Sequence, residues 1–451
     1  MLKKRFGVFL TAMTLLLAIT ACGQETAEPD KDPDESKDPT NESTEGETEE
    51  GTEDPVEITF WNFPNFAPLD GVAGKYEEEL IAAFEAENPG IKVNYELISF
   101  NDGPAKINTA IEGGTAPDIV YDAPGRVITW ANNGVLAPLT DMFTDEIKGD
   151  MDQSVLDASS TNGDIYMYPI NTAPFMMAFN KDLLEEHDLL DLLPLDSENR
   201  AWTVEEYETL LQALKDAGVQ SPAIFYAKSS AGDQGTRAFL SNLNDSWITN
   251  DDLSAYTIND EGGVQGLEWI VDAINNGLLI NGSSLAASDA IDEFVAGRAA
   301  SSILYSPGLE TANAEKKDFE TIFMPYPNNS GEPALEFLIG GPCIFDNGDA
   351  AKIEASKKFI DFMANDDEWG TKNVLATGSF SARKSMSGLY DDPEMLYNES
   401  MTSYYGTYYN TIPGFDEMRT FWFPMLQNAI GGGNAKEVLD DFVEKSNATV
   451  K

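Results

Sequence analysis

Histidine is almost absent from this chain: His187 stands alone among 451 residues. Only two cysteines occur, Cys22 and Cys343, and 28 Lys and Arg face 78 Asp and Glu. Each shortage removes a class of function. Zinc sites are built from clusters of histidine and cysteine, and Ser-His-Asp or Cys-His catalysis needs an imidazole beside the nucleophile. His187 follows Leu183-Leu184-Glu185-Glu186 and reads as a helix-terminal residue complementing the dipole. No GxSxG, HExxH, phosphate-loop, GxGxxG or DxDxDG pattern occurs, so the motif-borne hydrolase, nucleotide and calcium chemistries are unsupported. A lone pair of distant cysteines is no disulfide framework, and Cys343 reads as a small buried apolar side chain. The formal net charge of −50 opposes nucleic-acid binding, which needs Lys and Arg to neutralise phosphates, and opposes adhesion to anionic lipid.

Long apolar runs are also missing. Phe6 to Ile19 is too short to cross a bilayer core. It follows Lys3-Lys4-Arg5 and precedes Thr20-Ala21, the pattern of a secretory signal over residues 1–21. Leu17-Ala18-Ile19-Thr20-Ala21-Cys22-Gly23 resembles a bacterial lipoprotein box, in which Cys22 becomes the lipidated amino terminus. Residues 23–54 hold 14 acidic and 2 basic side chains and few apolar ones, so they are expected to form a disordered tether with a reach of roughly 30 Å or more. That stretch accounts for −12 of the net charge and the segment before it for +3, leaving −41 on residues 55–451. The body is acidic in its own right, as suits a soluble surface. Its length and apolar content of 42% suit two domains.

Periodicity gives the fold class. Val56-Glu57-Ile58-Thr59-Phe60-Trp61 alternates as a strand, Tyr76, Leu80, Ile81 and Phe84 share a helix face, and Ile91, Val93, Tyr95 and Leu97 alternate again. Strand, helix, strand at this spacing predicts a βαβ unit and a parallel sheet. Thr203-Val204-Glu205-Glu206 is a capping box, Asp289 is expected to cap a helix to Ala296, and Ser301 to Tyr305 reads as a strand. Val438, Leu439, Phe442 and Val443 give the last helix an apolar face. The chain is α/β throughout.

Several stretches together resemble the family 1 extracellular solute-binding proteins of carbohydrate ABC importers, the group that contains maltose-binding protein. They are Ile58-Thr59-Phe60-Trp61, Phe84 to Val93, Ala116-Pro117-Asp118-Ile119-Val120, Asn133-Gly134-Val135-Leu136-Ala137-Pro138-Leu139, Tyr168-Pro169-Ile170, Phe179-Asn180-Lys181-Asp182-Leu183, Phe294 to Ala300, Ala355 to Ile360 and Phe421-Trp422-Phe423. Their order covers nearly all of residues 56–446. The resemblance implies a two-lobed periplasmic-binding-protein-like fold of the class II type, with a hinge and an interlobe ligand cleft. Residues 55–169 and 326–379 are expected in the first lobe and 170–325 and 385–451 in the second. The crossings would fall near Tyr168-Pro169, Pro325-Tyr326-Pro327 and Gly378-Ser379.

The same resemblance implies a substrate-binding lipoprotein that captures a sugar, an oligosaccharide by expectation, and delivers it to permease subunits. It would act as a monomer without metal or cofactor, on the outer face of a bacterial cytoplasmic membrane of the Gram-positive type. Sugars stack their C–H faces on aromatic rings and pair their hydroxyls with planar polar groups, and α/β clefts lie at strand carboxyl ends. The candidates are therefore Trp61 and Asn62 at the first strand end, Asp122 and Arg126 after another, Asn171 and Phe175 in the loop beyond Tyr168-Pro169-Ile170, and Asp233 and Arg237 at a helix start. Tyr305, Ser306, Arg383 and Trp422 complete the set. Arg126 and Trp422 align with sugar contacts of the family, whereas Ala173 replaces its acidic group. For most of these, core packing, a helix cap or a surface ion pair is the plainer reading. The alternatives are a binder of a non-sugar solute such as a polyol or glycerophosphodiester, a secreted carbohydrate-active hydrolase, whose carboxylate pair no motif marks, and a receptor-linked sensor.

Overall fold

A computed structural model describes residues 55–100, 102–228 and 231–450; the signal, Cys22 and tether readings lie outside them. The alternating segment forms the strand Val56–Asn62, which runs parallel to Ile91–Leu97 in register from Val56↔Ile91 to Asn62↔Leu97. Between them the helix Lys75–Glu87 buries Leu80, Ile81 and Phe84. It stops where Asn88 bonds back to the Phe84 carbonyl, its amide at 2.9 Å and its side-chain Nδ2 at 3.0 Å. Ile119–Asp122 lies on the other side of the first strand, also parallel.

The sheet continues with antiparallel strands, in the order Phe380–Ser381, Asn171–Pro174, Phe337–Phe345, Ile119–Asp122, Val56–Asn62, Ile91–Leu97, with Leu136–Ala137 paired at the far end of Phe337–Phe345. Phe337–Phe345 is nine residues long and almost wholly buried, as a strand covered on both faces should be. The helix Ala350–Asn365 covers one face through Phe359, whose ring centroid is 5.5 Å from Phe60 and 4.9 Å from Phe84. Cys343 sits on this strand with no exposure, and burial pushes its thiol well above the ordinary range.

The second core gathers around an antiparallel trio, Ser301–Tyr305, Met176–Asn180 and Thr321–Met324, and a parallel pair, Ile224–Tyr226 with Ile280–Gly282. The helices Val204–Asp216, Asp233–Leu243, Glu261–Asn275, Phe415–Ile430 and Ala435–Asn447 pack on it. The capping box forms as expected, with Thr203 Oγ1 accepting from the Glu206 amide at 3.2 Å and Glu206 Oε2 accepting from the Thr203 amide at 2.7 Å. Asp289 acts differently: the helix Ala287–Val295 begins earlier, and Asp289 Oδ2 reaches back to the Ala286 amide at 2.8 Å. Among the described residues no helix is long and apolar enough to cross a membrane.

Core membership locates where the chain passes between lobes. Ile170 and Met176 belong to different cores, as do Leu335 and Phe337; a third change falls between Leu389 and Tyr397. Asn171–Pro174 and Phe337–Phe345, next to the first two of these changes, pair antiparallel with each other. The pairing requires close backbone approach at Gly341, opposite Asp122 in register, where a Cβ would collide with the Tyr168 carbonyl. Gly341→Ala is expected to cost about 2 kcal/mol or more and to be readable as a lowered urea midpoint at unchanged slope.

Candidate functional site

The first lobe presents the strand carboxyl ends. Asn62 is buried there, donating from Nδ2 to Glu77 Oε1 at 3.0 Å and accepting from Asn65 at 2.9 Å. Tyr95 also donates to Glu77 Oε1, at 2.9 Å, whereas Oε2 has no side-chain hydrogen-bond partner among the described residues. Asn62 thus braces the strand end. Trp61 points to the other face, under the Lys106 ammonium 4.2 Å from its ring centroid. It lines a cavity of about 620 Å³ with Thr59, Asp118 and Lys352, at the amino end of Ile119–Asp122 and away from the cleft-facing ends.

Asp122 closes its strand and Arg126 lies one turn on in the helix Pro124–Asn132. Arg126 Nε donates to Asp122 Oδ2 at 2.6 Å, and its Nη2 contacts Oδ1. The guanidinium sits 5.3 Å from the Phe63 ring centroid; Phe63 in turn stacks on Phe100, centroids 5.2 Å apart and planes at 4°. Phe100 is 49% exposed.

The second lobe answers with a denser network. Gly232 takes a positive φ of 79° as the N-cap, so Asp233 is the first residue of its helix rather than the cap. Its carboxylate, 1% exposed, pairs with Arg237 and accepts from Arg419 Nη2 at 2.7 Å. Arg237, 2% exposed, also donates to Glu336 at 3.0 Å and to the Tyr409 hydroxyl at 2.6 Å, and that hydroxyl meets Glu336. Burial raises the Glu336 carboxyl against the pull of Arg237. Burial lowers Arg419 to about 10, helped by Arg237 and Arg126 nearby. Asp416, one turn before Arg419, is raised by burial and held back by Arg126 and Arg419.

The two halves meet. A Cβ on Gly125 of the first lobe would stand 2.9 Å from the Asn410 carbonyl and 3.3 Å from the Phe415 ring. Arg126, Asp122, Asp416 and Arg419 therefore share one low-dielectric junction. Among the described residues no three His, Cys, Asp or Glu side chains are placed to hold a metal ion.

The structure brings together Asp122, Arg126, Asp233 and Arg237 of the expected set. Asn171 is buried in the crossing strand, accepting from the Tyr121 hydroxyl. Phe175 packs on the second core, and its amide holds the Glu336 carbonyl at 2.8 Å. Other expected residues lie elsewhere. Tyr305 is core, 5.2 Å from Phe294, and Ser306 is the N-cap of Pro307–Asn313, accepting from the Leu309 amide at 3.3 Å. Arg383 bonds Asp150 at 2.7 Å and Asn365 at 2.8 Å inside the first lobe.

Trp422 shows the largest difference. Its ring is 0% exposed, lies 5.3 Å from Phe442, and its Nε1 donates to Thr236 Oγ1 at 2.9 Å. No face is open to a ligand; the residue anchors the helix that carries Asp233 and Arg237. Sequence reasoning missed Phe100, Glu336, Tyr409, Asp416 and Arg419. Only Asp416 and Arg419 carried a signal, lying about two turns and one turn before Trp422 on one helix.

Two outcomes follow from this packing. Trp422→Ala should destabilise the fold by about 3–5 kcal/mol, a drop measurable by calorimetry before any binding is tested. Glu77, 1% exposed, has its carboxyl raised by burial, with hydrogen bonds from its own amide, Tyr95 and Asn62 opposing. The folded protein then holds this proton more tightly than the unfolded chain, so stability falls as pH rises from the ordinary glutamate value through the raised one. Glu77→Gln keeps the acceptor for Asn62 and Tyr95 without the charge. It should melt at or above the parent midpoint at pH 7 and lose that advantage near pH 4; a clear loss at pH 7 would contradict the burial argument.

Comparison with known proteins agrees with this architecture. A Brucella abortus (strain 2308) protein described as a binding protein is 36% identical over 120 residues, 27% of this chain, and the chain matches only 29% of that relative's length. A Listeria monocytogenes ABC substrate-binding protein in complex with cycloalternan superposes with a TM-score of 0.72 at 22% identity, over 88% of this chain and 99% of that one. A Thermotoga lettingae ABC transporter solute-binding protein bound with α-D-tagatose gives 0.75 at 20% identity, over 88% and 100%. These likenesses establish the two-lobed fold. The family of bacterial extracellular solute-binding proteins matches residues 79–396, most of the folded body, and this chain belongs to that family.

Proposed function

We propose that this protein is the sugar-capturing subunit of an ABC importer, holding its ligand between the two lobes and presenting it to permease subunits. The observation that carries the reading is the approach of Asp122 and Arg126 from one lobe to Asp416 and Arg419 from the other, with the buried Asp233 and Arg237 bracing Arg419 from behind. Planar carboxylates and guanidiniums are the groups that pair with sugar hydroxyls. The exposed Phe100 ring, backed by Phe63, offers the flat apolar face that a pyranose covers. Solved relatives of the same fold carry cycloalternan and α-D-tagatose, which supports a carbohydrate ligand without choosing one. The mechanism is differential affinity: a ligand touching both lobes stabilises the closed form, and no bond is broken.

The lipoprotein-like run ending at Cys22 supports anchoring to the outer face of the cytoplasmic membrane. Residues 23–54 would then be a charged tether that keeps a monomeric binder local while it turns. A thermal-shift screen of linear and cyclic glucans, monosaccharides, polyols and glycerophosphodiesters tests the reading. A carbohydrate should raise the midpoint, and Arg126→Ala should weaken its binding by about tenfold or more in titration calorimetry. A shift by a non-sugar solute alone overturns the sugar assignment, and release of shorter products from an oligosaccharide overturns binding without cleavage.

A further inference from the structure

The carboxylates at the interlobe junction differ in one respect. Asp122 is taken by Arg126, Asp233 by Arg237 and Arg419, and Glu336 by Arg237 and Tyr409. Asp416 forms no hydrogen bond or ion pair among the described residues. It is nonetheless half-buried, in the first turn of the sixteen-residue helix Phe415–Ile430, and interacts through space with Arg126 of the first lobe and Arg419 of its own. A carboxylate that gives up bulk water without a partner is destabilised. This one stands beside the seam where Gly125 of the first lobe closes on Phe415, the place to which the reading above assigns the ligand, and it can only accept.

We infer that Asp416 is the specificity-determining acceptor of the site: it takes a hydrogen bond from a ligand hydroxyl or amine, and it turns away ligands that bring a negative charge to the same place. This rests on the sugar reading above and deepens it to a class, neutral or amine-bearing carbohydrates rather than sugar acids or sugar phosphates. The neighbouring chemistry fits. Arg126 uses Nε and Nη2 on Asp122 and keeps further N–H donors beside Asp416. A hydroxyl at this point can donate to Asp416 and accept from Arg126, satisfying both of its capacities. An anionic oxygen there could accept from Arg126 but would face Asp416 with nothing to donate. Four carboxylates against three guanidiniums in the junction leave no surplus of positive charge to compensate.

The test uses the mature chain, maltotriose and cyclic glucans as neutral probes, and the aldonic acid of the best linear binder as the anionic probe. The parent should bind the neutral sugar about tenfold or more tightly than its aldonate. Asp416→Asn should weaken the neutral sugar by a similar factor, narrow the preference over the aldonate, and leave the sugar-free melting midpoint within a few degrees. Asp416→Ser serves if the amide variant does not fold. If a neutral sugar binds and both variants keep its affinity within twofold, or if the aldonate binds as tightly as its parent sugar, the Asp416 assignment falls while the sugar reading stands. If no carbohydrate in the screen shifts the parent protein, the sugar reading falls and the assignment with it.

Discussion

The buried Arg237 guanidinium is the constraint around which the second lobe and the hinge are organised. An arginine stays charged at any ordinary pH, so a side chain 2% exposed must be surrounded by acceptors. Asp233 supplies one from its own helix, Glu336 a second, and the Tyr409 hydroxyl a third. Glu336 immediately precedes Phe337–Phe345, the strand shared with the first lobe's sheet. One ion pair thereby couples the helix that faces the cleft to the segment by which the chain leaves the lobe. Such a pair adds little net stability, but removing either partner strands the other and costs about 3–5 kcal/mol. Its value is geometric, because it fixes the angle at which Asp233 and Arg419 meet the other lobe.

The first lobe solves a complementary problem with backbone rather than charge. Its long central strand has neighbours along both edges, so every approach must be close, and Gly340 and Gly341 stand where Asn171 and Tyr168 leave no room for a Cβ. The result is a rigid sheet whose carboxyl ends hold Asn62, Asp122 and the Phe63–Phe100 pair.

Local signals read well where local chemistry decides. The first βαβ unit, the Thr203–Glu206 capping box and the apolar stripe of Ala435–Asn447 depend on residues a few positions apart, and each formed where periodicity indicated. The start of Ala287–Val295 did not, because an aspartate can cap from the N-cap position or reach back from the third residue, and spacing alone does not separate the two. Site residues divided along the same line. Asp122–Arg126 and Asp233–Arg237 are four residues apart, the first pair spanning a strand end and the next helix and the second lying on one helix, so their partnership was legible. Glu336 and Tyr409 are remote from Arg237 in the chain, and nothing in either neighbourhood marks them.

By itself the sequence determined the α/β class, the acidic body with too few histidines and cysteines for a zinc cluster or a histidine-based triad, and an ordered set of segments that resembles solute-binding proteins. These follow from composition and short-range periodicity, which survive without knowledge of contacts. Only the tertiary structure decided which aromatic and charged groups are buried and which stay accessible. Trp422, Tyr305 and Trp61 carry the same chemistry as a sugar-stacking wall, yet two are sealed in cores and the third lines a cavity with Asp118 and Lys352. Phe100, unremarked in its loop, keeps its ring 49% exposed. Burial depends on which distant helix covers a side chain, and that depends on how the two cores pack.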